Sequence, residues 1–221
     1  MVTKTPTVVS PKASPEPQAT ALAGNDSGRA LELDGFGDDA VKFNGEGYDF
    51  TALPVRVEAR IKLNESLTPG LSRFEGDTVL AKDEAIAFFA ALAACPDAGM
   101  ALVIDDGDPV CGPKVQRGVW KDIGFVYDGE TVTFLQGGKE VEKRDWQSQV
   151  PLENGLVVIG RSSEGITPKI WNGFMDFVWA ANKDGVIFMV VFDRDFYDSV
   201  KNRAGTPEGD AKIVTVTDNL P

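Results

Sequence analysis

The sequence predicts an all-β protein built as two antiparallel sheets packed face to face, and three observations carry that prediction. Apolar residues recur in about a dozen runs of strand length, with almost no helical spacing. Most runs end in Gly- or Asp-rich turns, such as Asp128-Gly129-Glu130 and Gln136-Gly137-Gly138-Lys139. The run at 55–63 alternates strictly, with Val55, Val57, Ala59, Ile61 and Leu63 set against Arg56, Glu58, Arg60 and Lys62. That is the pattern of a strand with one buried and one solvated face. Short strands at close spacing make a β-sandwich or jelly roll.

The elements follow in order. Residues 1–28 are rich in Thr, Pro, Ser and Ala; Pro6, Pro11, Pro15 and Pro17 block helix, and large apolar side chains are few. This stretch reads as an extended arm. RALELDG (29–35) and AVKFNG (40–45) are short alternating strands closed by Gly. The strand at 55–63 comes next, then DTVLAKD at 77–83. AIAFFAALAAC (85–95) has the Ala and Leu content of a helix, but it lies among strands and is read as one. MALVIDDG (100–107) is a strand running into a turn. Further strands are expected at 119–127, 131–136, 139–143, 155–161 and 170–180. VIFMVVF (186–192) is a solid apolar run, expected to be buried on both faces. DRDFYDSVKNRAG (193–205) reads as a short helix ending at Gly205, and KIVTVT (212–217) as a last strand. The chain thus divides into an arm (1–28), a sandwich (29–193) and a C-terminal extension (194–221).

Composition excludes several chemistries. The 221 residues contain no His, so there is no Ser-His-Asp triad, no His-based metal site and no imidazole switch. Two cysteines cannot make a four-Cys zinc site. The formal net charge is −12 with no run of Lys and Arg, which argues against nucleic acid and anionic membranes as partners. No apolar run approaches ~20 residues, so no membrane insertion is expected. The N-terminus lacks the apolar core of a signal peptide, and synthesis without a recognisable secretory signal is expected. Cys95 and Cys111 flank the strand at 100–104. A disulfide between them and a pair of buried thiols both fit that spacing.

The order ALELDG, AVKF, VRVEARIK, TVLAKD, WKDIGFVYDGETVTFLQGGKEV, VVIGR and NGFMDFVWA resembles the laminin-G-like, concanavalin A-like jelly roll, over roughly residues 29–180. The sequence departs from that pattern in three places. Lys121-Asp122 follow Trp120 where the family has a His pair, Arg60 replaces a strand Trp, and Phe177 replaces a Glu. The resemblance implies a two-sheet antiparallel sandwich; the extended N-terminal arm and the C-terminal extension lie outside its pattern.

The superfamily includes glycanases, which place two carboxylates on one strand face, about 5 Å apart in retaining enzymes. Strict alternation on the strand around Asp176 gives Phe174, Asp176 and Val178 on one face, with a single carboxylate. A catalytic role is therefore not expected, and a glycoside hydrolase using Asp176 is the least favoured reading. No cofactor is required. Calcium is the candidate ion, with two Asp clusters to offer oxygens: Asp34, Asp38 and Asp39, and Asp105, Asp106 and Asp108. Asp and Gly also dominate tight turns for purely local reasons. Glycan binding in such folds uses exposed aromatics, and Trp146, Trp171, Tyr48 and Phe36 lie near turn signals, whereas Trp120 and Trp179 read as core.

The expected function is that of a non-catalytic binding or assembly protein. One version is a virion structural component, such as a capsid decoration, cement or fibre subunit, that engages protein partners through residues 1–28 and host-surface glycans elsewhere. It would act at the virion surface or outside the cell, as one copy or as a homo-oligomer. The alternative is a carbohydrate-binding module or adhesin.

Overall fold

The computed structural model describes residues 28–35, 39–64, 76–82, 85–105, 107–151, 155–161 and 171–216. Among them the strands are β1 (Arg29–Asp34), β2 (Ala40–Phe43), β3 (Val55–Leu63), β4 (Gly76–Lys82), β5 (Ile86–Leu92), β6 (Ala101–Ile104), β7 (Val110–Cys111), β8 (Lys121–Tyr127) and β9 (Thr131–Gln136). They continue with β10 (Lys139–Asp145), β11 (Val157–Ile159), β12 (Asn172–Asn182), β13 (Gly185–Val191), β14 (Tyr197–Asp198), β15 (Arg203–Ala204), β16 (Thr206–Glu208) and β17 (Lys212–Thr215). A 3-10 turn at Pro96–Ala98 is the helical exception among the described residues.

Two antiparallel sheets form a sandwich. The larger runs β10-β9-β8-β3-β12-β13-β14-β15, with β1 also on β12 and β17 on β1. The smaller runs β16-β2-β11-β4-β5-β6-β7. The alternating apolar residues of β3 point inward with Phe125 and Tyr127 of β8, and meet Leu80, Phe88 and Leu102 of the smaller sheet. Phe88 and Phe125 cross between the sheets edge to face at 5.1 Å, as do Phe43 and Phe188 at 5.2 Å. Burial of this continuous apolar layer is the main force holding the sheets together.

The run at 85–95 is a strand over Ile86–Leu92, as its neighbours require. Three other expectations are corrected. Residues 193–205 form no helix. The Asp198 carboxylate accepts the backbone N–H groups of Val200 and Lys201, drawing the chain into a turn between β14 and β15 instead. Along β13 only Ile187, Phe188 and Val190 join the core; Met189 and Val191 are half-buried on the outer side, and the start is open, with Val186 49% exposed. The polar face of β3 is not solvated: Arg56, Glu58 and Arg60 are all buried.

The C-terminal extension is integrated into both sheets. It adds β14 and β15 to the larger, crosses to the smaller as β16 beside β2, and returns to the larger as β17 beside β1. Each crossing is fastened by charge. Arg203 donates to the carbonyls of Asn44 and Glu46, Glu208 pairs with Lys42 at 2.9 Å, and Lys212 pairs with Glu32 at 3.2 Å. Gly205 lies so close over Phe43 that a Cβ there would fall 2.6 Å from the ring.

Candidate functional site

The outer face of the larger sheet gathers aromatic and charged side chains in rows across the strands. Its pattern depends on a β-bulge in β12. Met175 opposes Ile61 and Phe177 opposes Arg60, so Asp176 is the extra residue. A bulge resets the in–out alternation. Met175 and Val178 both enter the core, while Phe177 and Trp179 fall in a separate cluster on the other side. Phe174, next to the inward Met175, also faces outward. Strict alternation had grouped Phe174 with Asp176 and Val178; the bulge replaces that set with Phe174, Phe177 and Trp179.

Three rows result. At one end Phe174 is flanked by Lys62 on β3 and Glu32 on β1, and Glu32 in turn by Lys212 on β17. These four side chains are half-buried to exposed. The middle row places Arg60 between Asp122 and Phe177. In the third, Glu58 lies between Gly124 and Trp179. Gly124 is required there, since a Cβ would sit 2.6 Å from the Glu58 side chain. Arg56 bonds Glu58 at 2.7 Å and lies 5.8 Å from the centre of the Trp179 ring, a cation–π contact. Burial pushes the Glu58 carboxyl above the usual range, and the Arg56 guanidinium opposes that shift.

Asp176 is 0% exposed, and its carboxylate approaches Arg60 at 3.9 Å. Its backbone carbonyl accepts the Phe192 N–H. It anchors the bulge and presents no carboxylate to a cleft. Asp77 is likewise buried, held by Arg117 at 2.6 Å and by the Asn172 N–H. Burial raises its carboxyl, against the pull of Arg117.

The sequence candidates for glycan stacking fare unequally. Trp171 and Tyr48 are fully buried in the core and offer no ring face to a ligand, which corrects that expectation. Trp146 is half-buried and tilts against Tyr127 at 5.6 Å. Phe36 lies outside the described residues. Trp179 is buried as expected, but on the outer face and not in the core. Trp120 is half-exposed at the entry to β8. The outer-face set was hidden because a bulge leaves no mark in residue type.

Of the calcium candidates, Asp38 and Asp106 lie outside the described residues. Asp39 is buried, and both its oxygens accept backbone N–H groups, from Asp34 at 3.2 Å and Asp210 at 2.6 Å. Burial raises its carboxyl; the two N–H groups oppose that and the Asp34 carboxylate adds to it. Asp105 and Asp108 are exposed in the loop after β6. Among the described residues no three acidic or thiol groups come together as a metal site. Cys95 and Cys111 form a disulfide, with Cα atoms 5.4 Å apart, which ties β7 to the loop after β5.

No protein-family model matches the sequence, and no curated protein matches it. Solved structures do match the fold. A putative carbohydrate binding protein from Bacteroides ovatus superposes with a TM-score of 0.62 at 15% identity, covering 86% of this chain and 60% of that one. The heptameric SAP-like pentraxin of Limulus polyphemus superposes with a TM-score of 0.54 at 12% identity, covering 86% and 95%. The fold shared with these structures is a two-sheet antiparallel β-sandwich, the architecture that the laminin-G-like resemblance implies. The chain spans less than two thirds of the Bacteroides structure.

Proposed function

We propose that this protein is a non-catalytic carbohydrate-binding domain that takes a glycan on the outer face of its larger sheet, at the Phe174 end. The observation that carries the reading is Phe174 itself, a half-buried aromatic ring on a sheet face with Lys62 and Glu32 on the strands to either side. Sugar recognition needs an apolar ring for the C–H face of a pyranose and charged groups beside it for the hydroxyls. The Bacteroides and Limulus structures support the reading through their shared fold. Burial of Asp176 and Asp77 supports a non-catalytic role, because neither carboxylate can reach a glycosidic bond. The disulfide fits a working place outside the reducing cytoplasm.

The test is a glycan array probed with the full chain, followed by calorimetry on the best hit. Binding is expected, weakened about tenfold or more in Phe174→Ala, the loss typical of a central aromatic contact. A blank array with and without calcium, or full affinity in Phe174→Ala, would overturn the assignment.

A further inference from the structure

The row through Phe174 continues past Lys62. On β8 the register pairs Lys121 with Ile61 and Asp122 with Arg60. Just before β8 the chain still runs alongside β3, because the Gly118 N–H donates to the Leu63 carbonyl at 2.8 Å. Trp120 therefore stands beside Lys62. Its side of the sheet follows from its neighbours. Asp122 approaches Arg60 on the outer face at 3.9 Å, and Ile123 enters the core. Side chains two apart on a strand share a face, so Trp120 points outward with Asp122. Like Phe174, it is half-exposed.

The full row is Trp120, Lys62, Phe174, Glu32 and Lys212, on β8, β3, β12, β1 and β17 in turn. Two inter-strand spacings separate the two rings, about 10 Å. A single pyranose stacked on one ring does not reach the other. Both ends of the row are open: the Lys212 side chain is 60% exposed, and Val119 beside Trp120 is 39% exposed. A chain of sugars can run off either end.

A second row adjoins the first on the same face. It holds Asn64, Asn172 and Asp34, with the Asn64 side chain donating to that of Asn172 at 2.6 Å. Amides and carboxylates supply the donors and acceptors that sugar hydroxyls require. Formal charges across the two rows cancel, Lys62 and Lys212 against Glu32 and Asp34, and Lys212 and Glu32 are already paired at 3.2 Å. The net charge of −12 repels polyanions from the protein as a whole.

We propose, on the footing of the glycan reading above, that the ligand is an internal stretch of an extended, neutral polysaccharide. It lies across the strands with one sugar on Phe174 and another on Trp120. Engaging two rings with one chain makes the second contact intramolecular, so affinity grows once the chain spans both.

The experiment is calorimetry on the full chain with gluco-, xylo-, manno- and galacto-oligosaccharides, each from monosaccharide to hexasaccharide, beside uronic acid ladders of the same lengths. Affinity for the preferred neutral sugar should rise at least about tenfold along the series. Trp120→Ala should abolish that rise and leave the monosaccharide affinity unchanged, whereas Phe174→Ala should weaken every length. The length series needs no variant, so it decides the matter even if Trp120→Ala does not fold. Equal affinity for all lengths, tighter binding of the uronic acid chains, or an unchanged hexasaccharide affinity in Trp120→Ala would each overturn the inference. If Phe174→Ala still weakens the monosaccharide in those cases, the glycan site stands and only its extension falls. Failure of every sugar to bind would remove both.

Discussion

The Tyr48 hydroxyl donates to the Asp198 carboxylate across 2.6 Å, joining the segment before β3 to the C-terminal extension. Both residues are essentially excluded from water. The same carboxylate accepts the N–H groups of Met189, Val200 and Lys201, and the Arg203 guanidinium lies 5.6 Å from the centre of the Tyr48 ring. Burial and the neighbouring Asp198 hold the Tyr48 hydroxyl well above its ordinary pKa, so it remains a donor. Tyr48→Phe keeps the ring and removes the donor. It should cost about 1.5–3 kcal/mol, the range for a hydrogen bond to a charged group, read from urea unfolding. Protease sensitivity of residues 194–216 should rise with it. An unchanged midpoint would show that Asp198 is satisfied by its backbone donors alone.

A second buried charge lies at the other end of the sandwich. Arg117 bridges Asp77 and the Asn64 carbonyl, and Asn64 in turn bonds the Asn172 side chain at 2.6 Å. The cluster ties β3, β4 and β12 to the loop before β8. Arg117→Ala leaves the Asp77 carboxylate buried without its cation and should destabilise by about 3–5 kcal/mol. Adding Asp77→Asn to Arg117→Ala should restore part of that loss. If the double variant is no more stable than the single one, the cost lies in packing and not in the stranded charge.

The sandwich was legible in the sequence because strand periodicity and turn residues are local signals. Val55–Leu63 and the Gly137-Gly138 turn, where both glycines take positive φ, announce themselves in residue type. What depended on tertiary context was hidden. Asp198 diverts a helix-like stretch into a turn by capturing amides, and nothing in the segment 193–205 reveals that Tyr48 will hold the carboxylate in place. The candidate site was hidden for a related reason. A single bulged residue, Asp176, moves Phe177 and Trp179 to the outer face, and a period-two reading cannot see it.

Reduction offers a third check. The Cys95–Cys111 bond closes a loop with a sequence separation of 16. Constraining an unfolded loop of that size is worth about 3 kcal/mol. Treatment with reductant, or replacement of both cysteines by Ala, should lower stability by about that amount while far-ultraviolet dichroism stays that of a β protein. Loss measured in the Ala variant but not in the reduced chain would assign the effect to packing of the sulfurs against Phe89 and Ala101, with which Cys95 clusters.

The pH dependence of stability follows from which carboxylates are shifted and in which direction. Burial raises Asp39, Glu58 and Asp77. A raised group holds its proton more tightly folded than unfolded, so its contribution is present at low pH and is lost as pH rises through the folded value. Asp49 is lowered, chiefly by the Thr51 hydroxyl. Asp128 is lowered because the N–H groups of Glu130 and Thr131 outweigh its burial. Those two contribute above the unfolded carboxylate value of about 4 and fail only below it. Acidification from neutral pH toward about 4 should therefore raise the melting temperature, and further acidification below about pH 4 should lower it. Relief of the −12 net charge acts in the same direction over the upper range, but high salt screens it. The rise between neutral pH and about 4 should persist at high salt and shrink when Asp77 is replaced by Asn in the otherwise intact chain. A melting temperature that falls steadily from pH 7 downward would mean that ion pairing of Glu58 with Arg56 and of Asp77 with Arg117 outweighs the cost of burying those carboxylates.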